Sequence, residues 1–216
     1  MKFSENWLRQ WVSPDVSSEQ LGHQLTMAGL ELDGIEAASP NLAGVIVARI
    51  ISAAPHPDAD KLQVCQVDAG KGESLQIVCG AKNARAGLTT ALATVGAELP
   101  GGVKIKAAKL RGVESFGMLC ASTELGLDEE GDGILELDDG LTAGVSLMEA
   151  LDLNDLVFDI DLTPNRSDCL SIEGIAREVS ALYQLPVNRP EISRSKHEIE
   201  DQFPIEVKSQ EACPRY

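Results

Sequence analysis

The chain has 216 residues, 44% of them hydrophobic and 24% charged, enough for one large or two small globular domains with a proper core. It is acidic, with 18 Lys+Arg against 34 Asp+Glu and a formal net charge of -16. No run approaches 18 consecutive apolar residues and no basic segment leads into an apolar one, so neither a membrane span nor a signal peptide is expected.

Five cysteines (Cys65, Cys79, Cys120, Cys169 and Cys213) are odd in number and form no CxxC pair, which fits free thiols in a reducing, cytoplasmic compartment. The histidines His23, His56 and His197 are scattered, and no metal site is expected. Aromatic residues make up only 4% of the chain, too few for a base-stacking platform; any nucleic acid would be met through backbone and shape.

In chain order, Ser4 is placed to cap a short helix carrying Trp7, Leu8 and Trp11, which Pro14 stops. Ser17 and Gln20 have capping-box spacing. The helix they open has Leu21, Leu25 and Ala28 on one face, Gly29 at its end, and an extended exit through Leu30, Leu32 and Ile35. From Leu42 the pattern turns to short strands. Val45, Val47 and Ile50 begin a run ending at the Pro55-His56-Pro57 breaker, and Leu62, Val64 and Val67 begin another. Leu75 to Val78 and Thr89 to Val95 follow, with a strong turn at Pro100-Gly101-Gly102. This spacing predicts a small barrel, and a five-stranded OB-type barrel fits the roughly 110 residues available, although an SH3-like barrel fits the spacing too.

Asp128 to Asp139 carries seven acids and no base and fails the calcium-loop pattern, so a solvated, hairpin-containing loop is expected. Leu156, Phe158, Ile160 and Leu162 alternate with polar neighbours as in a half-buried strand, with Asp159 and Asp161 on its polar face. Thr163 to Asp168 is turn chemistry. Ile172, Ile175, Ala176, Val179, Leu182 and Tyr183 then form a helical apolar stripe, with Glu173 and Arg177 spaced to pair. The stretch from Glu191 to Gln202 looks like a charged linker, and Phe203 to Tyr216 brings new β character around Ile205 and Val207.

The predicted fold is therefore α+β. A small α/β domain is split into residues 1–39 and 151–190, the barrel (40–150) is inserted between the halves, and residues 191–216 form a linker and the truncated start of a further domain.

Against the acidic total, Lys82, Arg85, Lys104, Lys106, Lys109 and Arg111 face a single acid, Glu98, within Lys82–Arg111, a local excess of +5. A polyanion senses charge over roughly 8–10 Å at physiological salt, so this island is a candidate phosphate-binding surface; an ordinary solvated face is the alternative. On a regular strand Lys104 and Lys106 would face away from Lys109 and Arg111, and a bulge at Ala107-Ala108 would bring all four together. Ser115 offers a hydroxyl to phosphate. The block His56-Pro57-Asp58-Ala59-Asp60-Lys61-Leu62 is either a rigid turn with Lys61 paired to a carboxylate, or a loop presenting His56 and Lys61 to phosphate.

That block, Val78-Cys79-Gly80-Ala81-Lys82-Asn83 and Leu110 to Met118, in this order, resemble the tRNA-binding OB domain of several synthetase-associated proteins. The flanks resemble the bacterial phenylalanyl-tRNA synthetase beta chain family: Ser4 to Leu8, Gly29-Leu30-Glu31, Asp161 to Leu170, Gly174 to Glu178, and Ala212-Cys213-Pro214-Arg215-Tyr216 at the entry to an editing domain. The resemblance implies an α2β2 class II synthetase that attaches phenylalanine to its tRNA with ATP and magnesium, with an alpha subunit as partner. It places the catalytic site outside this chain, so no catalytic residue and no cofactor are assigned here. RNA contacts are expected from His56, Lys61, Lys82, Asn83, Arg85, Lys104, Lys106, Lys109, Arg111 and Ser115. The alternative role is an assembly module whose barrel meets protein.

Overall fold

The computed structural model describes residues 1–191, 201, 204 and 206–212; the β character expected around Ile205 and the Cys213–Tyr216 end lie outside the described residues. The elements are β1 (Lys2–Ser4), α1 (Glu5–Trp11), α2 (Ser18–Met27), β2 (Glu31–Ala37), β3 (Val45–His56), β4 (Ala59–Asp68), β5 (Ser74–Cys79) and β6 (Thr89–Thr94). Then come β7 (Glu98–Leu99), β8 (Val103–Lys104), β9 (Ala108–Leu110), β10 (Val113–Ser115), β11 (Gly117–Leu119), α3 (Leu147–Ala150), β12 (Leu156–Asp161) and α4 (Ile172–Tyr183).

The first two strands share one sheet with the last, β12. β12 lies between β1 and β2, antiparallel to both, and Phe158 pairs with Phe3 on one side and Ile35 on the other. The alternation of β12 turns Phe158 and Ile160 inward, both fully buried, and the Phe3 and Phe158 rings stack with centroids 5.4 Å apart. Leu8, Leu21, Leu25, Ile175 and Val179 from α1, α2 and α4 complete this core.

The local signals act as their chemistry requires. Trp7 N–H donates to Ser4 Oγ at 3.0 Å, and Ser17 and Gln20 form the reciprocal capping box. At the end of α2, Leu30 N–H reaches Leu25 O and Gly29 N–H reaches Thr26 O, the paired bonds of a Schellman close. Each N-terminal cap contributes about 1 kcal/mol. Glu5 is nearly fully buried, yet its carboxylate accepts from Arg9 and from Ser18 Oγ, so no charge is stranded.

A second, five-stranded antiparallel sheet has the order β11-β6-β3-β4-β5. β6, and β3 from Val45 to Ala48, are covered on both faces. Ala48, Ile50 and Leu92 join a core with Cys65, Val67, Ile77 and Leu119, while Val45, Val47, Ala91 and Ala93 join another with Leu42, Leu99, Leu125 and Leu147. That is why Thr89–Ala93 is buried without interruption.

Several expectations need correction. The strand predicted through Lys104–Arg111 is two short strands: β8 pairs with β7, β9 pairs with β10, and Ile105–Ala107 between them is not strand. Buried Ile105 breaks the run, since its N–H donates to Ala97 O and its carbonyl accepts from Gly96 N–H. The acidic stretch holds no hairpin; Leu135 and Leu137 instead donate to Cys120 O and Thr89 O, because its leucines are needed to cover the sheet. Glu173 pairs with Arg189 at 2.7 Å and not with Arg177.

Candidate nucleic-acid interface

A groove of about 660 Å³ opens beside the end of β5. Its lining includes the small residues Gly80, Ala81, Gly117 and Ala121, the bases Lys104 and Lys106, one acid, Glu124, and Ala108 with Leu110. Small lining residues let a ligand backbone approach closely. These small residues carry no charge, so charge patterning could not flag them; Gly80, Ala81 and Gly117 lie inside the blocks that carry the family resemblance, and Ala121 lies outside them.

The ten candidate residues fall into two groups. Lys61, Lys82, Lys106, Lys109 and Arg111 are exposed and make no ion pair among the described residues. Lys61 lies in a bulge: Pro55 pairs with Gln63 and His56 with Ala59, so Asp60, Lys61 and Leu62 have no partner on β3. Lys109 sits opposite Glu114 on one face of the β9–β10 hairpin, and Ala108 and Leu110 line the groove on the other. Arg111 and Gly112 form the hairpin tip with φ of 44° and 89°, two successive left-handed residues as a tight two-residue turn needs. Glycine suits that geometry, whereas an arginine there carries strain of about 1 kcal/mol.

The other five are engaged within the protein. Lys104 pairs with Glu98 at 3.3 Å, both well exposed. Ser115 is buried, accepts from Val78 N–H at 3.0 Å and donates to Gly117 O at 3.1 Å. His56 is 5% exposed, and both ring nitrogens are occupied, by Asp58 N–H at 3.0 Å and by the Leu110 carbonyl at 3.1 Å. Neither Ser115 nor His56 has a polar atom left over for a phosphate.

Asn83 pairs like a strand residue with Ile134, its Nδ2 donating to Ile134 O at 2.8 Å and its Oδ1 accepting from Ile134 N–H at 3.0 Å. Arg85 grips Glu136 through two bonds of 2.8 and 2.7 Å. The Arg85 guanidinium and then the Asn83 amide hold the Glu136 carboxyl down at about 2, far below its ordinary 4.5. A carboxyl lowered in the fold stabilises it fully above its unfolded value and loses that contribution as pH falls toward the folded one. Glu136→Gln is therefore expected to lower the urea midpoint at pH 7, with the deficit shrinking as pH falls from about 4.5 toward about 2. A deficit equal at pH 7 and pH 3 would show that the charge is irrelevant.

Elsewhere, Asp168, Cys169 and Glu178 come together, but around the Arg166 guanidinium, which donates to Glu178 at 2.7 Å, to Cys169 Sγ at 3.0 Å and to Asp168 at 3.4 Å. This clamp fastens the turn at Ser167–Cys169 to α4. Cys65, Cys79, Cys120 and Cys169 are buried free thiols, and burial pushes Cys65 up to about 11 and Cys120 up to about 12, leaving them without thiolate character at neutral pH. No helix among the described residues is long and apolar enough to cross a membrane.

The groove and its basic surroundings fall within residues 45–146, which match the family described as "Putative tRNA binding domain". This part of the chain is thus similar to a class of tRNA-binding domains. Over all 216 residues the chain is related to phenylalanine–tRNA ligase beta subunits, at 56% identity to that of Aliivibrio fischeri and 52%, over 224 aligned positions, to that of Colwellia psychrerythraea. It spans 27% and 28% of the length of those two relatives. A solved structure, the C-terminal domain of Plasmodium vivax p43, matches 46% of this chain and 56% of its own length at 27% identity and a TM-score of 0.36.

Proposed function

We propose that this chain is a tRNA-binding and architectural part of a phenylalanine–tRNA ligase beta subunit. One observation carries the reading: the exposed bases Lys61, Lys82, Lys106 and Lys109, with Arg111, which make no ion pair among the described residues, all lie within the residues that match a tRNA-binding family. They would meet the sugar-phosphate backbone, adding affinity and orientation with little base readout. Lys104 joins them from the groove wall, while Arg85, Asn83, Ser115 and His56 shape the surface from behind.

The five-stranded sheet is read as an OB-type barrel. Closure is supported by Phe116 N–H donating to Gln76 O at 2.9 Å and Val78 N–H to Ser115 Oγ, which link the β5 edge to the chain around β11. The barrel, residues 40–150, is then an insertion between halves 1–39 and 151–190 of an α/β domain, with 191–216 leading onward. The whole ligase would charge tRNA with phenylalanine using ATP and magnesium, as a cytoplasmic α2β2 assembly whose chemistry lies on the alpha subunit.

The test is titration of the full-length protein with phenylalanine tRNA at several salt concentrations. With about four phosphates contacted, log affinity should fall against log salt with a slope near 3, at 0.7–0.9 per contact. A flat response would sink the proposal. Exposed Leu110 and Phe116, each 40% accessible beside the basic residues, favour a second reading in which this face docks on protein. Crosslinks from Lys106 and Lys109 to protein alone in the assembled enzyme would favour it.

A further inference from the structure

The His56-Pro57-Asp58-Ala59 block has no exposed role in the surface just described, yet both ring nitrogens of its histidine are engaged. Asp58 N–H donates to Nδ1, so Nδ1 is the unprotonated nitrogen and Nε2 carries the hydrogen. Nε2–H is then the donor to the Leu110 carbonyl, 54 positions away in sequence. Leu110 is the last residue of β9, immediately before the strained Arg111-Gly112 tip. The imidazole thus ties the turn between β3 and β4 to the tip of the β9–β10 hairpin.

That hairpin needs a tie. Its strands are three residues each and pair chiefly with one another, and all of β9 is exposed. A lone two-stranded hairpin is marginal in water. At its root it is held by Ser115 Oγ against Val78 N–H and by Gln76 Nε2 donating to Glu114 O at 2.8 Å. His56 supplies the hold at the other end.

We infer that His56 is a positioning residue that fixes the β9–β10 hairpin through the Leu110 carbonyl so that Lys109 and Arg111 are presented to the RNA backbone. Presentation to RNA rests on the function proposed above; the tie itself does not. A preorganised hairpin binds without first losing conformational freedom.

Two near-isosteric variants of the full-length protein separate the two bonds. His56→Asn keeps an acceptor where Nδ1 was and drops the donor to Leu110, while His56→Gln keeps a donor where Nε2 was and drops the turn bond. H56N should speed hydrogen exchange of the amides from Lys109 to Glu114 and weaken tRNA binding about fivefold, the size expected for one lost hydrogen bond. H56Q should preserve both properties better. In double variants H56N and Arg111→Ala should fall short of multiplying, because the untied hairpin no longer presents Arg111, whereas H56N and Lys106→Ala should multiply. Binding unaffected by H56N, or full multiplication with R111A, would overturn the inference. No tRNA binding by the unsubstituted protein would overturn the functional reading instead, and unchanged hairpin exchange in H56N would then remove the tie as well.

Discussion

Gly174→Ala should unfold the unit built on β1, β12 and β2 at markedly lower denaturant, although alanine is the better helix former. The methyl group would sit 1.8 Å from the Asp168 carbonyl oxygen and 3.0 Å from Cys169 Cα. Both neighbours are backbone, so no side chain can swing aside. Either α4 slides away or the Ser167–Cys169 turn moves, and each breaks the Arg166 clamp and loosens Cys169, Ile172 and Ile175 in the core. Alanine's helix preference returns about 1 kcal/mol. Overpacking against fixed backbone costs about 3 kcal/mol or more. The net loss of roughly 2 kcal/mol should lower the melting temperature of this unit of about 80 residues by about 8–16 °C. Both tryptophans, Trp7 and Trp11, belong to α1 of this unit, so tryptophan fluorescence reports on it selectively. A midpoint unchanged or raised would mean that helix propensity outweighs the clash.

The largest loss of binding is expected from replacing Lys61, Lys106, Lys109 and Arg111 together with alanine. All four are exposed and outside the ion pairs of the described residues, so their removal should leave the thermal midpoint nearly unchanged. Each neutralised phosphate contributes 0.7–0.9 to the salt slope, so most of the slope near 3 should be lost and affinity for tRNA at low salt should fall by about a hundredfold. Replacing Arg85 and Lys104 makes an informative contrast. Their charges are already met by Glu136 and Glu98, so the loss of binding should be smaller and, for Arg85, accompanied by lower stability. Equal binding losses from the two sets would refute the distinction between paired and unpaired bases.

Much of this molecule was legible in the sequence because the signals were local. Ser4, Ser17 with Gln20, and Gly29 mark helix ends by side-chain and backbone chemistry that acts within a few residues. Strand β12 was legible from strict alternation. The Lys104–Arg111 run misled because pattern alone could not reveal that Ile105 is buried against Ala97 and Gly96, which splits the strand. The acidic stretch misled in the same way: its charges spoke for solvent, while its leucines were taken by the outer face of β3 and β6. At the candidate site, the lysines picked by residue type are exposed. Residue type could not tell that His56 and Asn83, with the same hydrogen-bonding capacity as ligand-binding residues, spend that capacity on Leu110 and Ile134.

The pairing of β2 with β12 joins Ala37 to Leu156. Everything between is, to that sheet, one very long loop, and closing such a loop grows more costly only slowly, by about 0.6 kcal/mol for each doubling of length. Here the loop closes itself: Val47 N–H reaches Val145 O at 2.9 Å and Gly144 N–H reaches Val47 O at 2.8 Å, so the segment leaves beside the point where it enters. Once those bonds form, the outer sheet experiences a short connection, and the large middle segment can vary in size or sequence without altering the distance that β2 and β12 must span.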